Sequence, residues 1–117
     1  MKEILAELRE RPGILGCMVT TTDGMVVASC LEKSLDDDVA AALVSSLLGG
    51  TSRLLEECGA PHMESLTLRA SRGKILVTHL GNAYLVVVTD RHLDLVQGQL
   101  DIKSAAQQIK RLGRIHA

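Results

Sequence analysis

ESLTLRASRGKILVTHLGNAYLVVVT, residues 64–89, is the stretch that decides the fold. Its first segment alternates, with Leu66, Leu68 and Ala70 set against Thr67, Arg69 and Ser71. That is the period of a strand with one drier face. Arg72-Gly73 and Gly81-Asn82 are turn dipeptides, so three strands follow one another as a meander. Two-residue turns at both places put Leu68, Val77 and Val86 on one face, with Ile75 and Val88 beside them. Leu76, Leu80, Leu85 and Val87 fall on the other. AYLVVVT is then apolar on both sides and belongs in the middle of a sheet covered on both faces. The alternating strand, with Thr67 and Arg69, belongs near an edge.

A cover for that sheet stands directly upstream, in LDDDVAAALVSSLLGGTSRLLEECG, residues 35–59. At one hundred degrees per residue, one half-circumference collects Val39, Ala40, Leu43, Val44, Leu47, Leu48, Leu54, Leu55 and Cys58. Asp36, Asp37 and Asp38 open this helix, where carboxylates meet free backbone N–H groups and the positive end of the dipole. Gly59, followed by Pro61, closes it. The opposite half holds Ala41, Ala42, Ser45, Ser46, Gly49 and Ser52, with Asp38, Arg53 and Glu56 at its ends. A solvent face normally carries long charged side chains. Gly49-Gly50 also sits mid-helix, where each glycine costs about 1 kcal/mol against alanine. A weakly specified surface would look the same, but small residues let another backbone come close. This half is expected to be a docking surface.

Upstream again, ILGCMVT and MVVASCL flank Thr21-Thr22-Asp23-Gly24. Asp-Gly between apolar runs signals a hairpin with a two-residue type I′ turn, which needs positive φ twice. That register sets Cys17 opposite Cys30, as packed thiols in preference to a redox or metal pair, since two ligands are too few for zinc. Residues 2–11 form a short helix with Ile4, Leu5 and Leu8 on one stripe, ended by Pro12-Gly13. DLVQGQLDIKSAAQQIKRLG, residues 94–113, places Leu95, Ile102, Ala105, Ala106, Ile109 and Leu112 at helical spacing, with Gly113 at C′. The order is α-β-β-α-β-β-β-α, an α+β fold. Its five-stranded antiparallel sheet has the long central helix on one face and the terminal helices on the other.

Composition narrows the function. The 117 residues suffice for one domain and one core. Hydrophobic residues make up 46%, yet Phe and Trp are absent and Tyr84 is the only Tyr, so the core is aliphatic. Carbohydrate, base-stacking and most cofactor sites lean on aromatic faces and are disfavoured. A net charge of -1 with mixed signs removes the electrostatic case for nucleic acid. No run of eighteen apolar residues exists, and MKEILAELRERPG reads as an amphipathic helix, not a signal peptide, so no membrane insertion is expected. Three unclustered cysteines, Cys17, Cys30 and Cys58, point to reduced thiols and a cytoplasmic location.

No catalytic set emerges. His62, His79, His92 and His116 lie on different elements without metal spacing. His79, across from Tyr84, reads as a satisfied core residue. Gly49-Gly50-Thr51 lacks the loop and lysine of a phosphate cradle. Arg69, Arg72 and Lys74 gather at a turn that either is simply solvated or greets an acidic partner.

The element order, together with TTDGMVVAS, the small-faced helix, the three-strand meander and DLVQGQLDIKSAAQQI, resembles the roadblock/dynein light chain family, most closely its prokaryotic MglB-type branch. The resemblance spans nearly the whole chain as one roadblock-type domain, 1–117, with a profilin- and longin-like shape. It implies a homodimer or heterodimer formed through the long helix and an edge strand, here Ser65, Thr67, Arg69 and Ser71. It also implies binding to a small Ras-like GTPase. MglB-type proteins act as GTPase-activating partners without donating an arginine finger, so the chain is not expected to be an enzyme by itself. The alternative is a scaffold or adaptor subunit like the motor-associated members. Neither the motifs nor the resemblance requires a cofactor or a metal.

Overall fold

The computed structural model of the chain describes residues 1–32, 36–60, 63–92 and 95–116, with Leu95 and residues 113–116 described in backbone only. Leu35, Pro61, His62 and Asp94, and the side chains of Leu95 and His116, lie outside the described residues. The elements in order are α1 (Lys2–Arg9), β1 (Ile14–Thr21), β2 (Val26–Cys30), α2 (Asp37–Glu57), β3 (Ser65–Ala70), β4 (Gly73–His79), β5 (Ala83–Asp90) and α3 (Leu95–His116). The α+β order expected from the sequence is the one observed.

β5 occupies the centre of a five-stranded antiparallel sheet ordered β2-β1-β5-β4-β3. Its alternate residues feed two separate cores. Leu85 and Val87 join Cys17, Val19 and Leu76 beneath α1 and α3, through Leu5, Leu8, Ile102, Ala105, Ala106 and Ile109. Tyr84 and Val86 join Met18 and Val77 beneath α2, through Ala41 and Leu48. Both faces of an apolar strand have to be covered, and one amphipathic helix can cover only one of them.

The turns differ from expectation in instructive ways. The β1–β2 loop is three residues, 22–24, not two: Gly24 N donates to Thr21 O at 3.2 Å and Thr21 N to Met25 O at 2.8 Å. Gly24 alone takes positive φ there (+94°), and no described non-glycine residue does, which rules out the type I′ turn. Val27 is an extra, bulged residue in β2, because Val19 faces Ala28 while Thr20 faces Val26. The longer loop and the bulge offset one another, so Cys17 faces Cys30 as expected.

At the next hairpin Gly73 is a strand residue, not a turn residue. It pairs with Ala70 and with Asp90, leaving Ser71 and Arg72 as the loop. A Cβ on Gly73 would lie 2.2 Å from the Thr89 carbonyl oxygen, so β5 can approach only a glycine. This moves the β3 register by two residues and preserves the faces. Leu66, not Leu68, stands opposite Val77, and Leu68 faces Ile75 with 38% of its surface exposed. The layer is therefore Leu66, Val77, Val86 and Met18. The Gly81-Asn82 turn is as expected, with Leu80 N donating to Ala83 O at 2.8 Å.

α1 is tied down by polar contacts as well as by Leu5 and Leu8. The Cys17 thiol donates to the Leu5 carbonyl at 3.2 Å, and Arg9 Nη1 donates to the Leu31 carbonyl at 3.2 Å. α3 continues through Gly113 to His116, which corrects the expected C′ glycine; Gly98 is buried within its first turns. The long helical segment outweighs the local preference of a single glycine.

Val86→Ala should cost about 1–3 kcal/mol in urea unfolding, as a buried large-to-small change, whereas Leu68→Ala should cost under about 1 kcal/mol. Burial, with Cys30 nearby, pushes the Cys17 thiol up to about 12 from its ordinary 9.0. A raised acid pKa favours the folded state below pH 9 and loses that favour as pH rises towards 12. The stability lost over that window should be smaller in Cys17→Ala, as measured by unfolding at stepped pH.

Candidate docking surface

The long helix is fixed at both ends by its own sequence. The Asp36 carboxylate accepts from Asp38 N at 2.9 Å and Val39 N at 3.1 Å, an N-cap that satisfies two of the free donors. Asp37 accepts from the Ser29 hydroxyl and so anchors the helix start to β2. At the other end Gly59 takes φ +78°, Gly59 N donates to Glu56 O, and Ala60 N reaches back to Leu55 O at 2.8 Å. This Schellman closure is the role expected for Gly59.

Between those ends, the helix is rotated relative to the sequence expectation. Ala41, assigned to the outer face, is 1% exposed and packs on the sheet with Leu48. Ser45 and Ser52 are half-buried. The reason at Ser45 is the β1–β2 hairpin tip: a Cβ on Gly24 would lie 2.8 Å from Ser45 Cβ. Both residues must be small for the tip to rest against the helix. Ala41 and Ser45 thus serve the chain's own packing. Ala42, Ser46, Gly49, Arg53 and Glu56 do lie on the exposed side, as expected.

Large apolar residues fill the rest of that exposed side. Val39 is 56% exposed, Leu43 66% and Leu54 60%, with Leu47 partly exposed between them. Cys58, likewise assigned inward, is exposed at the C-cap. Val39, Leu43, Leu47 and Leu54 follow helical spacing and form one stripe. Gly50 lies on it, and a Cβ at Gly49 or Gly50 would meet nothing within 4 Å among the described residues. The face presented outward is an aliphatic ridge with a glycine gap, more adhesive than the bare small-residue face the sequence suggested. The signal was available: an apolar arc covering half the circumference is wider than one sheet face needs.

β3 supplies a second element. His79 N donates to Glu64 O at 2.9 Å, and the antiparallel pairing then alternates. The backbone groups of Ser65, Thr67 and Arg69 point away from β4, along the open side of the sheet. Ser71, expected in the same row, belongs to the loop. The far edge is different, because the Val27 bulge interrupts the alternation that strand addition requires.

Residues with potential chemistry are not brought together. His79 lies against Tyr84 with ring centroids 5.3 Å apart, and Arg91 Nε donates to His92 Nε2 at 3.3 Å. Among the described residues no three His, Cys, Asp or Glu side chains are placed to share a metal ion. No helix among them is long and apolar enough to cross a membrane.

The model of the Roadblock/LC7 domain matches residues 1–89, which span α1 to β5. The chain belongs to the Roadblock/LC7 family. Among its relatives is protein MJ1340 of Methanocaldococcus jannaschii, 36% identical over 107 residues, covering 92% of this chain and 94% of that protein. The Roadblock fold is shared with Myxococcus xanthus MglB at a TM-score of 0.93 and 16% identity, covering 99% of this chain and 89% of that one. An MglB solved in a tetrameric arrangement matches at a TM-score of 0.85 and 24% identity, over 98% and 88% of the two chains.

Because Ser45 meets the hairpin tip, Ser45→Arg should destabilise the Roadblock domain itself by about 1–3 kcal/mol through overpacking. Ser46→Arg, one residue away on the open side, should change stability by no more than about 0.5 kcal/mol in the same denaturation measurement.

Proposed function

We propose that this Roadblock/LC7 protein is a homodimeric regulator of a small Ras-like GTPase. The observation that carries the proposal is the exposed Val39–Leu43–Leu47–Leu54 ridge of α2, on a domain whose β3 edge is open. Exposed aliphatic surface of this kind is stabilised by burial against a partner, at roughly 25 cal/mol per Å². A second copy offers a matching ridge and a matching strand edge at once, which is the condition for a two-fold contact. The likeness in fold to MglB supports the further step to a GTPase partner. Ala42, Ser46 and Gly49 would let the partner backbone approach, with Arg53 and Glu56 as polar contacts at the end of the ridge.

Any acceleration of GTP hydrolysis is indirect in this proposal. A finger arginine has to reach a buried phosphate from a loop. Arg53 is held within α2 and Arg69 within β3, so Arg72 in the β3–β4 loop alone among these has the reach. The partner's own catalytic residues are repositioned instead.

Sedimentation should give a dimer at micromolar concentration and a monomer for Leu43→Arg. A monomer throughout the concentration range for the native chain would remove the homodimer. With a purified small Ras-like GTPase, Arg72→Ala should keep most of any stimulation. An arginine finger contributes about 10³–10⁵ in rate, and a loss of that size with the complex intact would make the mechanism direct. A complex that forms without any change in hydrolysis would favour the adaptor role.

A further inference from the structure

On the sheet face opposite α2, α3 stands over the centre and leaves a groove of about 600 Å³ between itself and the β3–β4 hairpin. The floor is apolar, made by Leu76, Ile102 and Ala106. The walls are polar and cationic. Lys103 and Lys110 line it from α3, with Gln99 and Gln107 beside them, and Ser65, Thr67 and Thr78 line it from the strands. One register step beyond Thr67 and Leu76, Arg69 stands directly opposite Lys74 on the same face. Two like charges facing across an antiparallel pair disfavour one another, most at positions without mutual hydrogen bonds, where side chains are closest. Two cations therefore line the groove and two more stand one step beyond it on the same sheet face, while among the described residues Glu64 is the single acidic residue in its lining.

The sorting of charge along α3 sharpens this. Asp101 lines a different crevice, on the α1 side with Glu7 and Arg11, and accepts a bond from Gln97. Lys103 and Lys110 lie on the other flank.

We infer that this groove binds an acidic, amphipathic segment of a protein partner, its carboxylates meeting Lys103, Lys110, Arg69 and Lys74 and its aliphatic side chains meeting Leu76 and Ile102. A nucleic acid fits less well: the chain is net -1, and Tyr84, its sole Tyr, belongs to the core on the other face. A flat bilayer cannot follow a concave floor. The site is separate from the α2 ridge, although its Ser65, Thr67 and Arg69 belong to the strand whose open edge the proposed dimer would use.

The test is fluorescence anisotropy of a labelled synthetic peptide of Glu and Leu residues, titrated with the full chain. The expected result is saturable binding that weakens with added salt, is lost when Gln replaces Glu in the peptide, and weakens at least about tenfold in Lys103→Glu/Lys110→Glu. Lys103→Gln/Lys110→Gln, which only neutralises the two exposed cations, should weaken it less. Sedimentation of both variants should match the native chain, which separates loss of the groove from loss of association through α2. Absence of peptide binding, or binding unchanged by both double variants, would overturn the inference. So would tighter binding of single-stranded DNA or of phosphatidylserine vesicles than of the peptide.

Discussion

A strand that is apolar on both sides cannot end in water on either. β5 is that strand here, and the rest of the chain is arranged to satisfy it. Leu85 and Val87 require one cover, Tyr84 and Val86 another, and the covers come from different parts of the chain. The central helix serves one face, and the two terminal helices jointly serve the other. β1 and β4 flank β5 and share its two-sided burial through Met18 with Val19, and Leu76 with Val77. Burial falls off towards β2 and β3, the edges on which no further strand stacks. Half-dry edges on a doubly covered centre leave open backbone groups at the periphery of the sheet.

This division explains why so much of the fold is legible in one sequence. The period-two alternation of β3, the unbroken apolar run of β5 and the capping signals around α2 each have a local physical cause, and each holds. The turn details are less legible because they depend on partners distant in sequence. Gly73 looks like a turn residue beside Arg72, but its glycine answers to the Thr89 carbonyl of β5. Asp23-Gly24 looks like a two-residue turn, but only Gly24 goes to positive φ, and a bulge six residues after Thr21 restores the register. Two local misreadings cancel at Cys17 and Cys30, where the facing pair is correct for a reason the sequence does not display.

The docking face is the part the sequence places least well. Small side chains have two physical uses, and a helical wheel cannot tell them apart. At Ser45 a small residue admits the chain's own hairpin tip; at Gly49 and Gly50 nothing among the described residues comes near. Large aliphatic residues are equally ambiguous, since Leu48 is core and Leu47 is surface one position earlier. The width of the apolar arc was the usable clue, pointing to one half for folding and one half for something else. The α3 groove left still less trace in the sequence: Arg69 and Lys74 read as a solvated turn until the register sets them opposite each other, on the sheet face that α3 covers.

The bulge at Val27 carries a consequence for how copies of such a domain can add to one another. In the language of polymerisation, a sheet with two open edges is bifunctional and can extend without limit. A sheet with one open edge is a chain stopper. β2 is twisted out of regular alternation by a single extra residue, and β3 is left regular. In the proposed β3-to-β3 pairing, strand-to-strand growth through this sheet would terminate after two copies, and one inserted residue would set that valence.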